Sequence, residues 1–390
     1  MLASSIKDSA INVYCQLAST LVKKKVHYLS RTTRATIDLS ALISNFHSLA
    51  RLNPQGQTLA VIKADAYGHG ALTVARALSG HVKRFGVAFV DEARMLREQG
   101  ITESLVLFEG VYDPSEAEWA AANNCCVVAH RVEQLEWLAA LEQPPQEVWL
   151  KIDTGMHRLG FQTVELEAVW QQYAELFNND TVLVTHFACA DDDAHSLTGK
   201  QLAEFKQFLT AHPLPTSAAN SAGILQVQNA HGAWNRAGIA LYGGQGAPNV
   251  KPLLPVMTLT APVIATRTIA AGETVGYGAT WTAKRESRIA TVAIGYGDGY
   301  PRHAPSGTQA FCNGVKIPLA GRVSMDMLTF DVTDAEIAVG DTVELWGANQ
   351  SITEVAESVG TIDYELMTRV SARVPRVYIN SDNELGVVTR

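Results

Sequence analysis

Short apolar runs alternate with amphipathic stretches along the first two thirds of the chain. Eight runs have the length and composition of buried strands: 58–64, 84–90, 104–110, 125–130, 147–153, 181–187, 216–220 and 234–241. Stretches between them carry apolar residues at helical spacing, for example 73–78, 116–122, 132–141 and 202–209. Because a strand–helix repeat needs parallel pairing, eight such units predict a closed (β/α)8 barrel. The run 216–220, which is short and rich in small residues, has the weakest strand pattern.

The pattern differs at both ends of this region. Residues 34–38 (RATID) precede a helical pattern over 39–52 and predict a leading strand that pairs outside the barrel. After about Pro255, helical periodicity fades, and runs rich in Val, Ile and Thr are separated by Gly, Asp and Asn turns. Such spacing indicates antiparallel strands. We therefore predict an α/β protein with an N-terminal TIM-like barrel over 34–256 and a mainly antiparallel C-terminal β domain over 257–390.

Residues 1–33 stand apart from both domains. The apolar stretch 11–22 carries its lysines, 23–25, on its C-terminal side, whereas a secretory signal has its charge on the other side. We expect a poorly ordered extension and a protein that works in the cytoplasm. The five cysteines are scattered and lack zinc-like spacing, so we expect reduced thiols and no metal site.

Composition and charge limit the partners. The chain has 390 residues, 47% of them hydrophobic and 18% charged, with a net charge of −8. Phosphate backbones are bound by basic surfaces, so this balance argues against a nucleic-acid partner. No uninterrupted apolar run is long enough to cross a bilayer. A small-molecule substrate is the expected partner.

Barrel enzymes place their active sites at the C-terminal ends of the strands. The residues predicted there are Lys63, 153–158, His186, 220–221 and 238–239. Lys63 ends the run LAVIK and precedes ADAYGHG; desolvation at a barrel mouth would lower the pKa of its amine, as Schiff-base chemistry requires. Taken alone, the position is better explained by a solvated lysine at a strand end.

Two other segments predict an anion site. Ser221–Gly223 opens a helix and Gly238–Ile239 follows the last barrel strand. Exposed amides at helix starts and glycine turns suit a phosphate, although tight turns explain the same glycines equally well. The runs GYGDGY (295–300) and GYGAT (276–280) do not fit the dinucleotide fingerprint, so a nucleotide-binding fold is not expected.

From Arg34 to the C-terminus the chain resembles the alanine racemases. Nine segments carry the resemblance, in the family's order: AVIKADAYGHG (60–70), KIDTGMHRLG (151–160), THFACADD (185–192), AANSAG (218–223), RAGIALYG (236–243), VGYGAT (275–280), IGYGDGYPR (294–302), GRVSMDM (321–327) and DYE (363–365). The resemblance implies an isomerase with pyridoxal phosphate (PLP) as cofactor. It would interconvert L- and D-alanine in a homodimer with shared active sites, for peptidoglycan synthesis or alanine catabolism.

The resemblance also implies catalytic roles. Lys63 would hold PLP as a Schiff base and serve the D-face of the α-carbon, while Tyr277, donated by the other subunit, would serve the L-face. Two such groups are needed because racemisation removes a proton from one face and returns it to the other. His186 would contact this tyrosine and lie over the cofactor ring. Arg236 would face the pyridine nitrogen and keep it unprotonated, which favours racemisation over transamination or decarboxylation.

Further residues follow from the same resemblance. Arg158 would contact the cofactor's phenolic oxygen and, with the backbone N–H of Met325 from the partner, the substrate carboxylate. The positions that match the phosphate shell are Tyr67, Ser221, Gly238, Ile239 and Tyr364. Those that match the substrate entry are Asp191, Tyr296, Arg302, Arg322, Ile362 and Tyr364. Lys151 matches a lysine that is often carbamylated; an unmodified lysine on an exposed strand edge remains an equal alternative.

Three rival functions are weaker. A decarboxylase of the same architecture needs an acidic partner for the ring nitrogen, and Arg236 argues against it. A broader-specificity racemase is disfavoured less decisively, by the missing export signal and the narrowing tyrosines. A non-catalytic PLP-binding protein would consist of one barrel and would lack Tyr277, Met325 and Asp326.

Overall fold

The computed structural model describes residues 31–246, 250 and 253–380, so the prediction for the N-terminal extension lies almost wholly outside the described residues. The strands are β1 Arg34–Asp38, β2 Gln57–Val61, β3 Arg84–Val87, β4 Ser104–Leu107, β5 Cys125–Ala129, β6 Val148–Asp153, β7 Phe161–Gln162, β8 Val182–Val184, β9 Thr216–Ser217, β10 Trp234–Ala237, β11 Met257–Ile269, β12 Thr274–Val275, β13 Trp281–Thr282, β14 Ser287–Val292, β15 Gln309–Cys312, β16 Val315–Pro318, β17 Leu328–Asp331, β18 Thr342–Trp346 and β19 Arg376–Ile379. The α-helices are α1 Leu39–Ala50, α2 Lys63–Gly68, α3 Ala71–Leu78, α4 Val90–Glu98, α5 Pro114–Ala122, α6 Val132–Ala139, α7 Leu166–Gln172, α8 Leu197–Ala211, α9 Ser221–Gln226, α10 Ile352–Val359 and α11 Asp363–Arg369.

Eight parallel strands form one sheet in the order β10-β2-β3-β4-β5-β6-β8-β9, with the short β7 beside β6. The two end strands meet where the amide of Arg236 on β10 donates to the carbonyl of Ala219, just beyond β9, at 2.9 Å. The sheet therefore closes on itself, and the predicted (β/α)8 barrel is confirmed. The run 216–220, which had the weakest pattern, does supply a strand, of only two residues.

Each predicted barrel run overlaps one observed strand, and seven of the eight continue past the strand's C-terminal end. These extra residues mix apolar and small side chains with charged and polar ones, and they have left the sheet. Lys63, for example, lies two residues beyond β2, and His186 two residues beyond β8. Residues that leave the sheet at this edge are free to face a ligand, which is why barrel enzymes place their sites there.

The C-terminal region forms a second, mainly antiparallel sheet with the main strand order β16-β15-β18-β11-β1-β19 and with β14 and β17 paired beside β11. Its longest strand, β11, alternates buried and less buried residues over its first half. The leading strand β1 pairs with β11 and with β19, so the prediction that it pairs outside the barrel is confirmed. A continuous apolar core runs through both sheets and includes the fully buried Trp149 and Trp346.

Two helices in the β domain were missed by the expectation that helical periodicity ends near Pro255. Helix α10 has a Ser351 N-cap and a left-handed Gly360 at its end, and it buries Ile352, Val355 and Val359 at helical spacing. Helix α11 follows at once and carries Tyr364. Both are short, and the periodicity of eight residues is lost in a wide sequence window. No helix in the described part of the chain could span a membrane.

Candidate active site

A cavity of 530 Å³ opens at the C-terminal end of the barrel. Eleven of the residues predicted from the sequence line it: Lys63, Tyr67, Lys151, Arg158, His186, Asn220, Ser221, Arg236, Gly238, Ile362 and Tyr364. They come from the ends of five barrel strands and from helix α11. The first and last of them, Lys63 and Tyr364, are more than 300 positions apart in the sequence. The barrel topology therefore brings the predicted groups together, and the volume is typical of a small-ligand site.

Lys63 begins α2, a short segment whose next four residues form a left-handed turn instead of a right-handed helix. Ala64, Asp65, Ala66 and Tyr67 all have φ between 53° and 55°, a conformation that costs non-glycine residues roughly 1–2 kcal/mol each. Glu92 on α4 accepts a hydrogen bond from the Ala64 amide at 2.7 Å. The turn directs Lys63 and the Tyr67 ring into the same cavity.

The buried His69 holds this turn from inside. Its Nδ1 lies 2.9 Å from the Ala66 carbonyl and 3.0 Å from the Tyr67 carbonyl, so Nδ1 carries the proton and donates to both. Burial lowers the pKa of His69 to about 4, which keeps the ring neutral. Its ring packs against Tyr242, which stacks on Tyr67 at 4.9 Å. Strain in the turn is thus offset by a packed and hydrogen-bonded interior.

A cradle for an anion lies beside the turn. The Ser221 hydroxyl accepts from the amides of Gly238 and Ala240 at 2.9 and 3.2 Å. A Cβ atom on Gly238 would lie 3.0 Å from the Tyr67 hydroxyl, so glycine keeps this space open. Ile239, also predicted in the phosphate shell, is fully buried and is not among the residues that line the cavity. A helix start, a glycine turn and two hydroxyls therefore converge, as a phosphate site requires.

Arg236 is buried and points into the barrel mouth. One guanidinium nitrogen donates to the Ser217 carbonyl and hydroxyl, both at 2.7 Å. The other donates to the carbonyls of Thr185 and Ala218 and to Nδ1 of His186, at 2.9–3.0 Å. Burial lowers its pKa to about 10, so the group keeps its charge at neutral pH. No carboxylate in the described ranges pairs with it, so it does not serve a structural salt bridge.

Lysine 151 lies on β6, which is paired on both sides by β5 and β8. The alternative of a lysine on an exposed strand edge is therefore wrong, because the side chain lines the cavity. Burial, followed by the charges of Arg236 and Arg158, lowers the pKa of Lys151 to about 7. A substantial part of this amine is then neutral at physiological pH.

The cavity is strongly cationic. Burial, followed by Arg236, Lys151 and Arg158, also lowers the pKa of His186 well below its usual value. Among the described residues, the Arg158 guanidinium has no carboxylate within ion-pair distance, whereas the Lys63 ammonium lies 3.9 Å from the Glu109 carboxylate. Such a cavity suits a ligand that carries several negative charges.

Tyr364 closes the other side of the cradle. Its ring lies 5.7 Å from the ring of Tyr67. Burial, followed by the carboxylates of Asp191 and Asp363, raises the pKa of Tyr364 to about 12, so its hydroxyl stays protonated as a donor. Asp191 and Ile362, both predicted at the entry, are accordingly near this mouth, and Ile362 lines the cavity.

Tyr277 and Met325 are not in this cavity. Both lie in the β domain with much of the side chain exposed, 71% for Tyr277 and 52% for Met325. The glycines beside Tyr277, Gly276 and Gly278, pack against Arg322. The Met325 carbonyl accepts from the Gly297 amide at 2.8 Å, whereas its own amide donates no bond within the described chain. The other predicted entry residues, Tyr296, Arg302 and Arg322, also lie in the β domain outside the cavity lining.

Sequence reasoning missed the polar side chains that hold the mouth loops from behind. Gln201 on α8 donates to the His186 carbonyl at 2.9 Å and accepts from the Ala188 amide at 3.0 Å. Gln134 on α6 accepts from the His130 amide and donates to the Val111 carbonyl. Glutamine is ordinary on a helix surface, so only its complete burial at both positions reveals the role.

Two family models match the chain: the alanine racemase N-terminal domain over residues 37–246 and the alanine racemase C-terminal domain over residues 256–378. The chain belongs to the alanine racemase family. The expected fold class is confirmed, and so is the enzyme class, because racemases are isomerases.

Individual relatives support the same family assignment. The chain is 49% identical to an alanine racemase of Alteromonas mediterranea over 354 residues, which cover 90% of this chain and 99% of the relative. It is similar to the crystal structure of the biosynthetic alanine racemase from Pseudomonas aeruginosa, with a TM-score of 0.86 and 44% identity, covering 90% of this chain and all of that one. The alanine racemase of Bartonella henselae, solved with covalently bound pyridoxal phosphate, has a TM-score of 0.83 and 33% identity, covering 90% of this chain and all of that one.

Proposed function

We propose that this chain interconverts L- and D-alanine with PLP held in the cavity at the end of β2. The observation that carries the proposal is the convergence in one cavity of a lysine, an anion cradle and a buried arginine that pairs with no carboxylate among the described residues. These are the groups needed for the amine linkage, the pyridine nitrogen and the phosphate of PLP.

The residues present fit this cofactor. The Gly238 backbone, the Ser221 hydroxyl, the Ile239 amide and the hydroxyls of Tyr67 and Tyr364 would hold the phosphate. Lys63 would hold the cofactor covalently, with Arg236 at the ring nitrogen and His186 over the ring face. When bound, PLP supplies the electron sink that makes the α-hydrogen of an amino acid acidic.

In the proposed reaction, Lys63 and Tyr277 move the proton. Lys63 removes or returns it on the D-face, and Tyr277 of the partner subunit does so on the L-face. Arg236 cannot readily give up a proton, so it leaves the ring nitrogen unprotonated. PLP with an unprotonated ring nitrogen would be a weaker electron sink, which would favour return of the proton to the α-carbon over transamination or decarboxylation. This is what favours a racemase over a decarboxylase of the same architecture.

Arg158 and the Met325 amide bind the substrate carboxylate. The support is that each has spare hydrogen-bonding capacity, since Arg158 has no acidic partner and the Met325 amide has no acceptor among the described residues. Because Met325 and Tyr277 lie outside the cavity, they reach a substrate only in another copy of the chain. We therefore propose a homodimer with shared active sites, with L- and D-alanine as its ligands and neither nucleic acid nor membrane as a partner.

We further propose that Lys151 is carbamylated. A lysine with a pKa of about 7 presents the neutral amine that adds to CO2, and the resulting anion would pair with Arg158.

Division of the chain at residue 256 is also proposed, supported by the gap between the two family models at 246–256. The cysteines described (Cys125, Cys126, Cys189 and Cys312) are free thiols, which supports a cytoplasmic location.

The deciding experiment is racemisation of a panel of L-amino acids by the purified chain with added PLP, followed by chiral separation. We expect D-alanine to form well ahead of any other D-amino acid, with D-serine as the most informative comparison. A broad product range would favour the broader-specificity racemase. Absence of any D-amino acid at saturating PLP would refute the proposal and leave a non-catalytic PLP-binding protein.

A further inference from the structure

Arg376 makes an unusual set of hydrogen bonds behind the active site. Its Nη1 donates to the carbonyls of Ser371 and Val374 at 2.7 and 2.8 Å, and its Nη2 donates to the carbonyl of Val370 at 2.6 Å. Its Nε donates to the carbonyl of Gly68 at 3.0 Å. All four acceptors are backbone carbonyls, and Arg376 pairs with no carboxylate within the described residues.

Two of these acceptors belong to different active-site elements. Gly68 ends the left-handed turn that carries Lys63 and Tyr67, whereas Val370 caps the C-terminus of α11, which carries Tyr364. The guanidinium fork fixes both at once because its donors lie in one rigid plane. Arg376 itself is anchored on β19, which pairs with β1 in the β domain.

The turn and α11 are in close backbone contact at Gly68, where no side-chain atom would fit. A Cβ atom on Gly68 would lie 2.3 Å from the Met367 carbonyl on α11. A second bond from β19 supports the contact, because the Tyr378 hydroxyl donates to the His69 carbonyl at 3.0 Å. The turn needs such external support, since four consecutive non-glycine residues occupy the left-handed region.

We propose that Arg376 is a positioning residue for the cofactor site, which acts by fixing the distance between the lysine turn and α11. This inference rests on the proposed function, in which Tyr67 and Tyr364 bind the phosphate of PLP. Without the fork, the turn and the helix can separate. The two tyrosines, 5.7 Å apart here, would then no longer close on one phosphate.

Arg97 offers a matched control. It is also half-buried, and it donates to three backbone carbonyls, those of Asn123, Ile101 and Asn124, at 2.7–3.0 Å. It lies at the opposite, N-terminal end of the barrel strands, beside the start of β5. Its replacement removes a comparable set of bonds without touching the cofactor cavity.

The experiment compares Arg376→Met with Arg97→Met. The melting temperature is measured on the apoenzymes, and PLP affinity is measured by titrating the apoenzymes with PLP and following the cofactor absorbance. We expect both variants to lower the melting temperature. Only Arg376→Met should raise the dissociation constant for PLP, by roughly tenfold or more, while Arg97→Met stays within about twofold of the wild type.

Two milder variants keep the test valid if Arg376→Met does not fold. Arg376→Lys keeps the charge but loses the planar fork, and Tyr378→Phe removes only the hydroxyl, which donates to the His69 carbonyl. Both should weaken PLP binding by about threefold or more at an unchanged or slightly lower melting temperature. The inference is overturned if PLP affinity is unchanged in these variants, or falls equally in Arg97→Met. Failure of the wild-type chain to bind PLP would instead refute the proposed function.

Discussion

The guanidinium of Arg236 donates a hydrogen bond to Nδ1 of His186 across 3.0 Å. Because arginine has no acceptor, Nδ1 must be unprotonated, and the proton of the neutral ring resides on Nε2. The lowered pKa of His186, caused first by burial and then by Arg236, agrees with this tautomer. The barrel mouth thus combines a fixed positive charge with a neutral imidazole. Neither group supplies the carboxylic acid that would protonate a pyridine nitrogen.

Replacing Arg236 should change the type of reaction as well as its rate. We expect Arg236→Glu to lower alanine racemisation by about 100-fold, because an acid at this position would protonate the ring nitrogen and delocalise the carbanion. Release of pyruvate from alanine, the sign of transamination, should rise. Arg236→Lys, which keeps the positive charge, is the control and should release no more pyruvate than the wild type. Equal pyruvate release by both variants would contradict the assigned role.

Lys151 should make stability depend on pH. Its pKa is about 7 in the folded chain against 10.5 in the reference state, so the unfolded chain binds more protons between these values. Stability should therefore rise as the pH rises from 7 towards 10.5, and the cost of burying the charge is fully present below pH 7. In CO2-free buffer, Lys151→Met should remove this rise and should stabilise the protein at pH 7 by at least about 1.4 kcal/mol.

Urea unfolding at pH 7 and at pH 9.5 measures this difference. Lys200 on α8 is an exposed lysine, so Lys200→Met serves as the control and should leave the pH dependence as in the wild type. If Lys151→Met keeps the wild-type pH dependence, the amine is not buried in the way described.

The contact between the lysine turn and α11 can be tested with a pair of glycines. Gly68 and Gly80 have nearly the same backbone, with φ of 78° and 80°. A Cβ atom on Gly80 would meet nothing within 4 Å, whereas one on Gly68 would lie 2.3 Å from the Met367 carbonyl. Gly80→Ala should cost about 1 kcal/mol for the left-handed backbone alone. Gly68→Ala should cost about 2 kcal/mol more, since the backbone must shift.

Thermal or urea denaturation of the two apoenzymes gives both values. PLP affinity should also fall in Gly68→Ala, because the shifted turn carries Tyr67. Equal destabilisation in the two variants would mean that the turn and the helix tolerate separation.

The barrel was predictable because its strands are buried on both faces and read as short apolar runs. β5, with all five residues buried, is the clearest case. The ends of these runs were less predictable, since residues such as Lys63 leave the sheet while the apolar pattern continues. Helices α10 and α11 were missed for the opposite reason: eight and seven residues are too few for a periodicity signal, although the Ser351 cap and Gly360 mark the ends of α10.

The left-handed turn could not have been predicted from local sequence. Alanine and tyrosine disfavour positive φ, and aspartate adopts it mainly as a single residue, so tertiary contacts override the local preference in this run of four. One of these contacts, from Arg376 to Gly68, spans 308 positions in the chain. The grouping of Lys63, Arg236 and Ser221 was predictable, because the barrel topology alone brings strand ends together. The separate location of Tyr277 and Met325 followed only from the family resemblance.

The most direct test of the account is complementation between two inactive variants. Lys63→Ala should bind no PLP covalently and should not racemise alanine, and Tyr277→Phe should lose most of its activity. If Lys63 and Tyr277 of different subunits share a site, each mixed dimer of the two variants contains one intact site and one site lacking both groups. Refolding or co-expressing the variants in equal amounts should then restore about a quarter of the wild-type racemisation. If the mixture is no more active than the separate variants, the shared active site is contradicted.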